Sequence, residues 1–171
     1  MRSLDDLRVT DDVEETGATF AENAALKARA AALATGLPAL ADDSGLEVEA
    51  LGGEPGVHSA RWAGAVSAAD RNALLLQRLA SVPDAQRGAR FVCVLTLCHP
   101  DGASVAARGE VSGRITRQLL GEGGFGYDPL FLLPDLGLTY GQLSAQQKNG
   151  LSHRARAFAA LRPLLLPLLS R

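Results

Sequence analysis

The chain has 171 residues, 47% of them hydrophobic and 21% charged, with a formal net charge of −2. That is enough chain for one domain with a real core, and the charge leaves no basic field for a nucleic-acid backbone. No apolar run reaches the length that spans a bilayer, because the Leu-rich stretch 161–169 is short and broken by Pro163 and Pro167. The first residues carry no apolar signal-peptide core. The expected partners therefore include neither nucleic acid nor membrane.

Taken in order, Thr19 followed by Glu22 has capping-box spacing and predicts a helix over 20–35, rich in Ala, Leu and Lys/Arg and ended by Gly36 and Pro38. Glu14 and Glu15 precede that helix, where its positive end favours acids. The apolar run 37–41 predicts a buried strand that delivers Asp42 and Asp43 to its carboxyl end, where the chain turns. Leu46, Val48 and Ala50 then alternate with Glu47 and Glu49, as on a second, half-exposed strand. A turn-rich loop follows over 52–56. Ser67 can cap a second helix over 67–80, with Asp70 in its first turn and Leu74, Leu75 and Leu79 as an apolar stripe.

Residues 89–99 form the strongest strand candidate. Pro100-Asp101-Gly102 turns the chain, 103–110 returns as a hairpin partner, and 111–117 reads as a further strand. Cys93 and Cys98 lie five positions apart in one run, which at ~3.3 Å per residue is beyond disulfide reach. They read as buried thiols in a reducing compartment. A glycine-dense loop at 121–128 leads to a short strand over 130–133. Ser144 with Gln147 has capping-box spacing again, predicting one last helix that carries Lys148, His153 and Arg154 and stops near Leu161. Helices and strands interleave without a linker or repeat, so the class is α/β and residues 1–171 form a single domain.

Three constellations carry candidate chemistry. Glu14 and Glu15 with Asp42 and Asp43 could hold Mg²⁺ through one or two carboxylates, the remaining ligands coming from phosphate oxygens. Taken alone, Glu14 and Glu15 are explained by helix-dipole complementarity. Two charges at a buried strand end cost desolvation unless something pairs them. Lys148, His153 and Arg154 form a cationic cluster suited to an anion, or an ordinary basic helix surface. The loop 121–128 lets backbone N–H groups approach a ligand, with Phe125 or Tyr127 available to stack on a base; otherwise it is a turn with core aromatics. A Ser44/His153/Asp triad is disfavoured because no nucleophile elbow surrounds Ser44.

Together, five segments resemble the inosine/xanthosine triphosphate pyrophosphatases in order and spacing: residues 14–24 (Glu-Glu-Thr-Gly-Ala-Thr-Phe-Ala-Glu-Asn-Ala), 41–48 (Ala-Asp-Asp-Ser-Gly-Leu-Glu-Val), 55–61 (Pro-Gly-Val-His-Ser-Ala-Arg), 123–131 (Gly-Gly-Phe-Gly-Tyr-Asp-Pro-Leu-Phe) and 148–154 (Lys-Asn-Gly-Leu-Ser-His-Arg). The resemblance implies an elongated mixed sheet flanked by helices in two lobes with a central nucleotide cleft. It further implies hydrolysis of ITP, dITP or XTP to the monophosphate and pyrophosphate, with Mg²⁺, in a cytoplasmic homodimer. Carried over by position, it makes Asp43 the general base and a metal ligand, with Glu14 as the second ligand. Ser44, Phe125, Gly126, Tyr127, Asp128, Lys148, His153 and Arg154 become the substrate contacts. The family's opening strand and Thr/Ser-x-Asn-x-x-Lys phosphate loop have no counterpart here, so relative to the family the domain reads as truncated at its N-terminus. The alternative function is then a catalytically impaired nucleotide-binding remnant. A second departure is Gln142, where the family usually has a glutamate.

Overall fold

The computed structural model describes residues 2–7, 9, 13–64 and 67–169. Five strands form one sheet in the order β1-β2-β3-β4-β5: β1 Ala39–Val48, β2 Gly88–Cys98, β3 Ser104–Ile115, β4 Phe131–Leu133 and β5 Leu138–Thr139. Sheet order therefore follows chain order. β3 pairs antiparallel with β4, Ile115 opposite Phe131, and β4 pairs antiparallel with β5. The α-helices are α1 Phe20–Thr35, α2 Ala68–Arg78, α3 Ala145–Leu151 and α4 His153–Leu169. The α/β class holds, and none of the described helices is long and apolar enough to cross a membrane.

The chain divides into two compact units. The first comprises Met1–Asp43, Cys93–Gly109 and Arg156–Arg171. Its interior packs Ala28 and Ala32 of α1 against Cys98, and Ala157 and Leu161 of α4 against Cys93 and Leu95. Both cysteines are buried free thiols, as expected. The second unit comprises Ser44–Val92 and Glu110–Ala155. It holds the larger core, in which Leu46, Val48, Leu75 and Leu79 join Phe91, Phe131 and Tyr140. Phe91 lies 4.6 Å from Phe131, ring centroid to centroid, and stacks on Tyr140 at 5.7 Å.

Two of the helices, α1 and α2, begin as their sequences dictate. Thr19 and Glu22 close a reciprocal capping box on α1, and Gly36 ends it at φ 65°. Ser67 and Asp70 do the same for α2.

Four boundaries differ from expectation. The chain does not turn after Asp43: β1 runs unbroken through Asp42-Asp43-Ser44-Gly45. Those residues are poor strand formers, but Asp43 is buried and finds partners on α1, so extended backbone carries no unpaired charge. The two expected strands over 103–117 are likewise one strand, β3. Its burial alternates through Gly109 and Glu110, and Gly113 leaves room for the Leu132 carbonyl and the Phe131 ring. The single last helix is two. Ser152 is extended (φ −71°, ψ 157°) and ends α3, while its hydroxyl accepts the Ala155 N–H at 3.2 Å and so caps α4. α4 then passes Pro163, where a lost N–H usually stops a helix; Ala157, Leu161 and Leu165 bind it to the first unit's core.

Candidate active site

In the first unit the site residues gather on one lysine. Adjacent strand side chains point to opposite faces, so Asp43 is buried while Asp42 is half-buried. Asp43 meets α1, where Asn23 and Lys27 stand one turn apart on the same face. Lys27 Nζ lies 3.1 Å from Asp43 Oδ1 and 2.7 Å from Glu15 Oε1. Asn23, fully buried, donates to Asp43 Oδ2 at 3.2 Å and accepts the Gly17 N–H at 2.8 Å. One amide thus ties the 14–17 segment to the strand carboxylate. Gly17 suits this because a Cβ there would sit 2.6 Å from Asn23 Oδ1.

Burial works against the Lys27 charge, but the hydrogen bonds and charges of Glu15 and Asp43 outweigh it and raise the ammonium pKa. Two carboxylates converge on one cationic position, a donor set of the kind hard divalent cations use with phosphate oxygens completing the shell. Among the described residues no three His, Cys, Asp or Glu side chains group closely enough to hold a metal by themselves. Glu15 aims at this cluster, and Glu14 is exposed. Ser44, half-buried, follows Asp43 on the opposite face of β1.

In the second unit the glycine loop presents an aromatic beneath two cations. Phe125 is 64% exposed. Lys148 Nζ stands 4.3 Å from its ring centroid and Arg154 Cζ 5.5 Å, distances at which a cation is attracted to a ring face. Asp128, buried to 1% exposure, pairs with Lys148 and accepts the Phe125 N–H at 2.7 Å. Gly124 has φ 75°, and a Cβ on it would collide with the Asp128 carboxylate. Gly123 donates to the Gly141 carbonyl at 2.9 Å.

Tyr127 is buried. Its hydroxyl donates to the Ser59 carbonyl at 3.1 Å, and burial, partly offset by the Arg71 charge, pushes its pKa up to about 12. Gly126 lies between Phe125 and Tyr127 at φ 59°. Lys148 lies in the last turn of α3, whereas His153 and Arg154 open α4, so the three residues expected on one helix come from two. His153 is buried and stacks on Phe91 at 4.9 Å. Gln142 closes a capping box with Thr139, a local role that needs no negative charge.

Asn23 and Lys27 were not singled out from sequence. Their signal was present: two polar residues at i and i+4 on the Ala-rich face of an amphipathic helix, where only a buried acceptor would justify them.

Within the second unit, an exposed ring under two cations is an arrangement that suits a flat, anionic ligand. The chain belongs to the Ham1 family, whose profile matches residues 1–164. It is 55% identical over 148 residues to a dITP/XTP pyrophosphatase of Thermus thermophilus, covering 86% of this chain and 72% of that protein. With the dITP/XTP pyrophosphatase of Nocardia farcinica it shares 55% over 170 residues, 98% of this chain and 82% of that one. Among solved structures, the Staphylococcus aureus Ham1 protein superposes with TM-score 0.88 at 47% identity, over 95% of this chain and 84% of that one.

Proposed function

We propose that this chain hydrolyses non-canonical purine nucleoside triphosphates, the dITP/XTP/ITP class, to the monophosphate and pyrophosphate. The observation that carries the reading is its 55% identity to dITP/XTP pyrophosphatases across almost its whole length.

Water attacks the α-phosphorus and pyrophosphate leaves. Asp43 orients that water and takes its proton, the role of a positioned carboxylate. Lys27 stands beside Asp43 and neutralises phosphate charge as the bond breaks. Phe125 stacks on the base, with Gly126, Tyr127 and Asp128 shaping that subsite. Lys148 and Arg154 offer N–H donors where a 6-oxo purine presents an acceptor and adenine an amine. A donor left unpaired against the amine is a source of large discrimination. His153 sets the Arg154 side chain, whose Nη1 lies 3.3 Å from its Nε2, and Ser44 contacts the substrate.

Mg²⁺ would be held by Asp43 and the Glu14-Glu15 pair, where Glu15 already shares a cation with Asp43, and would supply charge neutralisation at the phosphates. A cytoplasmic homodimer completes the proposal.

Pyrophosphate release with ITP, dITP, XTP, dATP and dGTP tests it. Release from ITP, dITP and XTP well above the two ordinary nucleotides is expected. No release above an Asp43→Asn control refutes hydrolysis by this chain and leaves a nucleotide-binding remnant.

A further inference from the structure

The loop that carries Phe125 is held from a place the reaction does not use. Asn72 lies in the second turn of α2, on the face that otherwise buries Leu75 and Leu79, and is itself only 6% exposed. Its Nδ2 donates to the Gly126 carbonyl at 3.0 Å, across 54 residues of sequence. Its Oδ1 is buried and has no hydrogen-bond partner among the described residues. A buried amide that satisfies only one end is a poor choice for stability, since an unmade acceptor carries a desolvation penalty. An apolar side chain would suit that helix face better. What the amide does supply is a fixed direction for the peptide after Gly126.

Gly126 is where that control matters. Its φ of 59° puts it in the left-handed region, and nothing lies within 4 Å of where its Cβ would be. No side chain of its own therefore restrains this residue, which joins the exposed Phe125 to the buried Tyr127 inside a turn that Asp128 closes by donating to the Phe125 carbonyl at 3.1 Å and accepting the Phe125 N–H at 2.7 Å. Tyr127 is pinned by its hydroxyl on the Ser59 carbonyl. The Asn72 bond holds the peptide before it from the other side, and so adds to the Asp128 contacts in setting the direction in which Phe125 leaves the core.

We infer that Asn72 is a positioning residue for base recognition, holding the Gly126 carbonyl so that Phe125 presents its ring to the purine. The inference rests on the proposed stacking role of Phe125.

The test measures the dissociation constant of IMP by calorimetry, KM and kcat for ITP, and the melting temperature, for wild type, Asn72→Ala, Asn72→Leu and Phe125→Ala. Asn72→Leu keeps the buried volume on an apolar helix face and loses the donor without burying a charge, so it reports even where the truncation folds poorly. Both Asn72 variants are expected to weaken IMP binding and raise KM about tenfold, the worth of one well-placed hydrogen bond. kcat should stay within about threefold, as expected when binding alone is lost, and the melting temperature within about 4 °C. Wild-type IMP binding and KM in both Asn72 variants, with a raised KM in Phe125→Ala, overturn the role of Asn72 alone. Wild-type values in Phe125→Ala overturn the stacking reading and this inference with it. A joint fall of kcat and melting temperature in both Asn72 variants shows a merely structural residue and also overturns the inference.

Discussion

Replacing Asp43 by Asn separates chemistry from stability. The amide keeps the shape of the side chain and one oxygen, which can still accept from Lys27 or from Asn23 but not from both, since they donate to different carboxylate oxygens; the charge, the basicity and one hydrogen bond go. At the 3.1 Å between Lys27 Nζ and Asp43 Oδ1, the gross Coulomb attraction is about 5 kcal/mol for an effective dielectric near 20. Most of that does not appear as stability. The Lys27 side chain keeps 24% of its surface in solvent and retains Glu15 at 2.7 Å, so desolvation and screening leave a net cost of about 1–2 kcal/mol. The effect on turnover is larger, because removing a general base costs 10²–10⁴-fold, or about 3–5 kcal/mol of barrier. Urea unfolding should therefore show a modest shift while pyrophosphate release falls by about three orders of magnitude. Asp42→Asn, one residue away on the other face of the strand, should leave turnover nearly intact. A kcat within tenfold of wild type for Asp43→Asn, or an equal loss for Asp42→Asn, refutes the assignment.

Arg87 is 2% exposed and donates to three carbonyls, of Leu79 at 2.7 Å and of Ile115 and Thr116 at 2.8 Å. Arg87→Met should cost about 3–5 kcal/mol in urea unfolding, and a loss below about 1 kcal/mol would contradict the accounting. Tyr127 has a folded-state pKa raised from 10.0 to about 12, so the fold favours its protonated form. Its contribution to stability is whole below about pH 10 and is lost as pH climbs towards 12. Unfolding measured from pH 8 to 11.5 should show a shallower alkaline decline in Tyr127→Phe than in wild type, and identical slopes would sink this. Gly124→Ala forces a Cβ at φ 75° into the Asp128 carboxylate. It should raise KM for ITP at a strain of about 1–2 kcal/mol, and an unchanged KM would show that the pair of Asp128 with Lys148 does not order this loop.

Local chemistry was legible wherever it decided the structure. The capping-box spacing of Thr19 and Glu22 fixed the start of α1 to the residue, and Ser67 as a cap placed that of α2, because each satisfies backbone donors whatever the rest of the chain does. The free cysteines followed from strand geometry alone. Boundaries set by distant partners were not legible. Asp-Asp-Ser-Gly reads as a place to turn, and only α1 on the far side of the carboxylate makes it a strand. Lys148, Ser152 and His153 read as one helix, and only the backbone of Ser152 shows the break. Asn72 was hidden for the same reason: a polar residue in a Leu-rich helix has no meaning until the Gly126 carbonyl, 54 residues away, lies opposite it.

The continuity of β1 changes what the paired acids can be. Had the chain turned after Asp43, both carboxylates could have entered one cluster, and a metal corner built from Asp42 and Asp43 would have been possible. In an unbroken strand they are forced onto opposite faces, so a single strand carboxylate reaches α1. The second carboxylate at Lys27 must then come from another segment. Only a segment tied to α1 can supply it reliably, and Asn23 provides that tie by holding the Gly17 N–H with one end of its amide and Asp43 with the other. Glu15 arrives at Lys27 through that connection. The acidic segment before α1 therefore belongs with Asp43 for a reason that complementarity to the helix dipole does not provide: its backbone and the Asp43 carboxylate share one buried amide.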